Sequence, residues 1–282
     1  MKYIKLVISI ADEYQESFIA ELFDMDFNGF EQREGSIITY IIKENFGIGD
    51  RERIEELLAG FPGNAFIESE EVVADQNWNE QWEQTIRAQT IGDFFVKPTW
   101  ARDAVPPGKI LLEIDPKMSF GTGYHETTRL MLRMLSKVIQ KNDTVLDAGT
   151  GTGILAIASV KLGAKKVFAF DIDEWSITNT KENMLLNEAA DFITVEKGSI
   201  ETIPDGFEAD VVLANINRNA ILDLLSSFED VLKLNGHLVL SGLLKTDEKE
   251  VLSKLSSNFE IVDIQQENEW IAICARKKSK SE

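Results

Sequence analysis

Glycine stands at every second position in Gly149-Thr150-Gly151-Thr152-Gly153, between the apolar run Val145-Leu146 and a second one that starts at Ile154. A strand that ends in such a turn and passes straight into a helix needs glycine for two reasons. The backbone must bend sharply, and another group must come close to it. The rest of this region has the matching alternation. Thr144–Asp147, Val167–Asp171, Ile193–Glu196, Asp210–Ala214 and His237–Leu240 are short apolar runs of the kind that form buried parallel strands. Helical spacing separates most of them, over Ile154–Leu162, Glu174–Asn187, Asn219–Leu232 and Asp247–Leu255. The pattern predicts a doubly wound α/β sheet, closed by two further β-rich stretches between Glu260 and Arg276.

The spacing of the glycines narrows the ligand. A dinucleotide fingerprint reads G-x-G-x-x-G, whereas here the third glycine comes one residue early and Ile154 fills the place it would need. Asp147, just before the turn, suits a cation better than a pyrophosphate. S-adenosyl-L-methionine carries a sulfonium and an ammonium, so a carboxylate near this bend attracts it. Asp171 ends the next strand, 22 residues after Gly149, where an acid can accept hydrogen bonds from both ribose hydroxyls. The plainer reading of Asp171 is a cap for the next helix. Asn215 ends the Asp210–Ala214 strand on the crevice side of the sheet and offers an amide where reaction would occur. Its plainer reading is a turn former.

Ahead of this region the pattern changes. Tyr3–Ile10 reads as a strand, Tyr14–Met25 as a helix, Phe27–Arg33 and Ser36–Lys43 as strands joined at Glu34-Gly35, Arg51–Phe61 as a helix ended by Pro62-Gly63, and Ala65–Val73 as a strand. This βαββαβ order predicts a small α+β ferredoxin-like domain over residues 1–73. Asp75–Arg87, with Trp78 and Trp82 four apart, reads as a helix inside a linker spanning 74–92. Extended segments at Phe94–Trp100 and Ile110–Asp115 open the second domain, 93–278, and a charged tail, 279–282, is expected to be disordered.

Charge and composition exclude several classes. The net charge is −19, and residues 1–90 hold 19 acidic against 7 basic side chains. Such a surface repels a sugar-phosphate backbone, so direct nucleic-acid binding is not expected. The acidic front serves either as a solubility surface or as a docking face for a basic partner. A single cysteine, Cys274, and only two histidines, His125 and His237, rule out a disulfide framework and a Cys/His zinc site. No metal is expected. No apolar run approaches the roughly 20 residues of a membrane span, and no signal-peptide core follows Met1. A cytoplasmic, two-domain monomer is the expectation.

One stretch is more specific than a generic cofactor domain: Asp115-Pro116-Lys117-Met118-Ser119-Phe120-Gly121-Thr122-Gly123-Tyr124-His125-Glu126-Thr127-Thr128. With the glycine turn, Ala214-Asn215-Ile216, Asp75-Gln76-Asn77-Trp78 and Glu269-Trp270, it closely resembles the PrmA family, enzymes that methylate large-subunit ribosomal protein eleven. The resemblance covers roughly residues 75–276. It implies a ferredoxin-like substrate-recognition domain joined to a class I (Rossmann-like) methyltransferase domain, with S-adenosyl-L-methionine as cofactor. It implies cofactor contacts at Thr128, Gly149, Asp171 and Asn215, to which the spacing of the turn adds Gly151. It further implies methyl transfer to lysine side chains and the N-terminal amine of a basic ribosomal protein, carried to trimethylation. Departures from the family pattern are Thr150, where a cysteine is common, and Tyr124-His125-Glu126, where threonine and proline often flank the histidine. Catalysis is expected at Asn215, with His125 as a candidate proton acceptor or as a brace for the Gly121–Gly123 loop. The rival targets are another protein, a glutamine amide or a nucleic-acid base. Base and glutamine enzymes usually carry Asn-x-Pro-aromatic at this strand, and Asn217-Arg218 replaces that pair here.

Overall fold

The computed structural model describes residues 2–23, 25, 27–61, 65–74, 86–117, 119–255 and 257–279. Its contacts separate into two units, Met1–Trp78 and Asn79–Glu282.

In the first unit, β1 (Lys2–Ser9), α1 (Asp12–Phe23), β2 (Asn28–Arg33), β3 (Ser36–Ile42), α2 (Ile48–Ala59) and β4 (Phe66–Ala74) follow in the order read from the sequence. The four strands are antiparallel in the order β2-β3-β1-β4. Alternation decides which face is buried: Ile4, Leu6 and Ile8 of β1 meet Phe18 and Leu22 of α1 and Ile54 and Leu58 of α2. Helix α2 starts three residues earlier than its apolar spacing suggests, because Asp50 accepts a hydrogen bond from the Gly47 N–H at 2.8 Å and so extends the first turn. The stop at Pro62-Gly63 and the Trp78/Trp82 helix lie outside the described residues, apart from the last two residues of the Asp75–Arg87 segment. The charged tail lies outside them too, beyond its first residue, Ser279.

The second unit opens with β5 (Gln89–Ile91), β6 (Phe94–Lys97) and β7 (Ile110–Glu113), a three-stranded sheet. This corrects the linker reading of 74–92 at its carboxyl end. Residues 89–91 form a strand because Gly92, at φ 55°, turns the chain into a tight hairpin and pairs Ile91 with Phe94. Then come α3 (Glu126–Val138), β8 (Thr144–Ala148), α4 (Ile154–Lys161), β9 (Lys166–Asp171), α5 (Glu174–Leu186), β10 (Ile193–Lys197), β11 (Ala209–Asn215), α6 (Arg218–Val231), β12 (Leu232–Leu244), α7 (Glu248–Leu255), β13 (Phe259–Glu267) and β14 (Trp270–Lys277).

Seven of these strands form one sheet in the order β10-β9-β8-β11-β12-β14-β13, parallel from β10 to β12 and antiparallel beyond. Successive strand residues feed opposite faces. Val145, Val167, Val211 and Val239 pack under α3, α4 and α5, while Leu146, Phe168, Val212 and Leu238 pack under α6 and α7. The result is an α/β sandwich of class I methyltransferase type. Strand order reverses between β8 and β11, so their carboxyl ends border the crevice where such folds bind ligands. Among the described residues, no helix is long and apolar enough to cross a membrane.

Candidate active site

The glycine turn leaves β8 at that switch point. Gly149, Gly151 and Gly153 take φ of 72°, 57° and 81°, a region that a side chain makes costly. What a side chain would strike first is the protein itself. A Cβ on Gly149 would collide with Cγ2 of Ile216, and one on Gly151 with the carbonyl of Phe120, both closer than real contacts allow. The glycines therefore serve close approach by two other segments as well as by a ligand.

One of those segments is the loop between β7 and α3. Phe120 O accepts the Thr152 N–H at 2.9 Å, and the Thr152 hydroxyl donates to Gly121 O at 2.6 Å. An asparagine ladder along α5 and its carboxyl end holds the loop's entry. Asn187 bonds both backbone groups of Glu113, Asn183 bonds those of Asp115 and the Thr152 carbonyl, and Asn179 donates to Asp115 O. Residues four apart share a helix face, so one helix fastens the loop beside the turn it covers.

Asp171 stands at the tip of β9. One carboxylate oxygen accepts the Gly151 N–H at 2.9 Å and the other the Asp173 N–H at 3.0 Å. The helix cap is Asp173, which accepts from Ser176 N, so Asp171 is not the cap of α5. It braces the glycine turn and keeps further lone pairs for a ligand. Beside it, Ile172 and Trp175 are 77% and 67% exposed, an apolar ledge of the kind a purine covers.

Asp147 differs from the expectation of an accessible anion. It is 1% exposed and accepts the Thr150 hydroxyl at 2.7 Å. Burial pushes its pKa up to about 7, against the pull of that bond. Thr150, in the position where the family often carries cysteine, thus supplies an internal partner to a carboxylate that works within the turn.

Asn215 and Thr128 show the mark of a ligand site. Asn215 Oδ1 and Thr128 Oγ1 are buried without a hydrogen-bond partner, as are Ser119 Oγ, Gln89 Nε2 and Asp147 Oδ1. A buried polar atom left unpaired costs about 1–3 kcal/mol, which a bound group recovers. Asn215 does not cap the next helix, since Asn217 does so by accepting from Ala220 N at 2.9 Å. Hydroxyl, amide and carboxylate groups around a bare turn fit the hydroxyls, ammonium and carboxylate of S-adenosylmethionine. Among the described residues, no cluster of histidine, cysteine, aspartate and glutamate could hold a metal.

His125 begins α3. Its Nδ1 lies 2.8 Å from Thr127 Oγ1 and accepts the Thr127 N–H at 3.3 Å, so the ring caps the helix. Its centroid is 5.2 Å from that of Phe120 and 4.8 Å from that of Trp270. The sites read from sequence therefore fall into two groups. Gly149, Gly151 and Asp171 are joined by direct bonds or contacts, and Asn215 reaches them through Ile216; Thr128 and His125 arrive with the helix after the covering loop. Ser119, Gln89 and Ile172 carry no sequence signal of their own, because their unpaired or exposed state exists only once the chain has folded.

Several known proteins resemble this chain. The family model described as ribosomal protein L11 methyltransferase (PrmA) matches residues 8–278. A protein of that name from Porphyromonas gingivalis is 37% identical over 286 residues, covering 97% of both chains. Another, from Thermoanaerobacter pseudethanolicus, is 37% identical over 230 residues, 81% of this chain and 74% of its own. The crystal structure of ribosomal protein L11 methylase from Lactobacillus delbrueckii subsp. bulgaricus superposes with a TM-score of 0.64 at 31% identity, over 68% of this chain and 100% of that one. The chain belongs to the ribosomal protein L11 methyltransferase (PrmA) family.

Proposed function

We infer that this protein transfers methyl groups from S-adenosylmethionine to amino groups of ribosomal protein L11, at lysine side chains and the N-terminal amine. The observation that carries the reading is the pair of buried, unpartnered oxygens, Asn215 Oδ1 and Thr128 Oγ1, beside a glycine turn braced by Asp171.

When bound, the cofactor supplies a methyl carbon on a positively charged sulfur, already activated for attack. What remains for the chain is to bind, orient and desolvate. Asp171 takes the ribose hydroxyls, Ile172 covers the purine, and the backbone amides of the turn and Thr128 hold the amino-acid end. Asn215 Oδ1 accepts an N–H of the incoming amine and aims its lone pair at the methyl group. A lysine amine, with an ordinary pKa of about 10.4, must arrive neutral, and a tight site beside a cation lowers that value. Because His125 Nδ1 accepts the Thr127 N–H, the neutral ring carries its hydrogen on Nε2 and has no free lone pair for that proton, so His125 serves as the brace of the covering loop.

The front unit, with its βαββαβ order and acidic surface, is the substrate-recognition domain. Ribosomal proteins are basic, and complementary charge speeds encounter and selects partners. The same charge, and the absence of the proline-aromatic pair after Asn215, argue against a nucleic-acid base as the target. The protein acts as a cytoplasmic monomer in this reading. Transfer of radiolabel from S-adenosylmethionine to total ribosomal protein, total RNA or neither tests it, and label on RNA alone overturns it. Removal of residues 1–73 is expected to abolish protein methylation while cofactor binding survives.

A further inference from the structure

Three aromatic rings lie in a row at the mouth of the crevice. Phe120 is carried there by the covering loop, its carbonyl resting on Gly151 and the residue 51% exposed. His125 stands next to it, and Trp270 completes the row from the start of β14. The sheet register places Trp270 at the same edge of the sheet as the carboxyl ends of β11 and β12. Asn215 of β11 pairs with Ser241 of β12, and Leu244, three residues on, pairs with Trp270. The turn before Trp270 is pinned to α3: Glu267 bonds Arg129 at 2.6 Å and Arg133 at 2.6 Å, and Asn268 donates to Glu126 at 3.0 Å. A loop turn clamped by charged side chains on a rigid helix holds its neighbouring ring in one orientation.

An aromatic face left half open at a polar crevice matches one chemistry well, a cation with alkylated nitrogen. Ring quadrupoles attract such a cation, and methyl groups make its dehydration easier. We propose that Phe120 and Trp270, spaced by His125, form an aromatic wall that holds the substrate nitrogen as it becomes a methylated ammonium. In each transfer the nitrogen lone pair forms the new C–N bond while the C–S electrons stay on sulfur as a thioether, so positive charge passes from sulfur to nitrogen. After the first and second transfers the ammonium gives its proton to water before the next attack; after the third there is none to lose. A wall that favours cationic, alkylated nitrogen keeps the partly methylated side chain in place between rounds. This inference rests on the amine-methylating function proposed above.

The test compares the full-length protein with Phe120→Leu, Trp270→Leu and Trp270→Phe. Binding of an ε-trimethyllysine peptide and its unmethylated twin is measured by calorimetry, and the methylation states of L11 by mass spectrometry. The wild type is expected to prefer the trimethylated peptide, and each leucine variant to lose about tenfold of that preference. The products of the leucine variants are expected to shift from trimethyl to mono- and dimethyl, with Trp270→Phe restoring the ladder. Phe120 is itself half exposed, so its leucine variant separates the wall from any folding defect at Trp270. Unchanged peptide preference and an unchanged product ladder in Phe120→Leu overturn the wall. A wild type that leaves L11 unmodified overturns the underlying function instead.

Discussion

Substituting Gly151 by alanine separates two costs that glycine avoids. The first is conformational: at φ 57° a Cβ costs about 1–2 kcal/mol. The second is steric, since the new Cβ would occupy the space of the Phe120 carbonyl, a backbone atom that cannot rotate away. Relief requires the covering loop to lift, which breaks the Thr152 N–H bond to Phe120 O and the Thr152 hydroxyl bond to Gly121 O. At about 1 kcal/mol each, those bonds add about 2 kcal/mol. The stability loss should thus reach about 3–4 kcal/mol by urea denaturation. If cofactor binding needs the loop seated, affinity for S-adenosylmethionine must also fall, by about 30-fold for about 2 kcal/mol. Gly206 is the control. Its φ is 73°, yet a Cβ there meets nothing within 4 Å, so Gly206→Ala should cost only the conformational part and leave affinity unchanged. Calorimetric titration of both variants decides. Binding by Gly151→Ala within about threefold of wild type would refute the claim that the loop and the turn form one binding surface.

The same geometry sets three further outcomes. Asn215→Ala should lose most turnover while still binding cofactor, and near-normal single-turnover rates would remove Asn215 from the mechanism. Asp147 has a raised pKa in the folded chain, so the native state holds a proton that the unfolded chain releases between the usual carboxylate range and about pH 7. Its ionisation therefore subtracts stability as pH rises through that window, by about 4 kcal/mol at most. Asp147→Asn should flatten the slope of urea stability against pH from about 4 to about 7, and an unaltered slope would show that the buried carboxylate does not titrate there. Asn183→Leu removes three bonds, to Asp115 N, Asp115 O and Thr152 O, and should destabilise by about 2–4 kcal/mol and weaken cofactor binding. Loss of stability with full affinity would show that the ladder holds the fold but not the site.

Much of this protein was legible as a string. The period-2 and period-3.6 patterns located every element of the first unit and most of the second to within a few residues, missing α3 and β5, because they report which side chains must leave water and nothing else. The alternate glycines marked the turn, since φ near 60° is a local demand of the backbone. Position singled out Asp171 and Asn215 as the residues that end strands at the carboxyl edge of an alternating sheet, and they do end β9 and β11. Resemblance supplied Thr128 and the covering segment around Phe120.

Local pattern carries no information about what lies across a gap, and there the tertiary structure decided. The strand at Gln89–Ile91 became one only by pairing through Gly92 with β6. Asp147 looked like an anion open to a ligand, but the packing of β8 between two helical layers buried it and gave it Thr150 for company. The spacing of Asn179, Asn183 and Asn187 is plain in the sequence, yet their partners lie 31 to 74 residues away. Trp270 and Phe120 stand 150 positions apart in the chain and share His125 only because β14 returns beside β12. Short-range sterics and solvation are written residue by residue; contacts between distant segments depend on the whole sheet closing in one register.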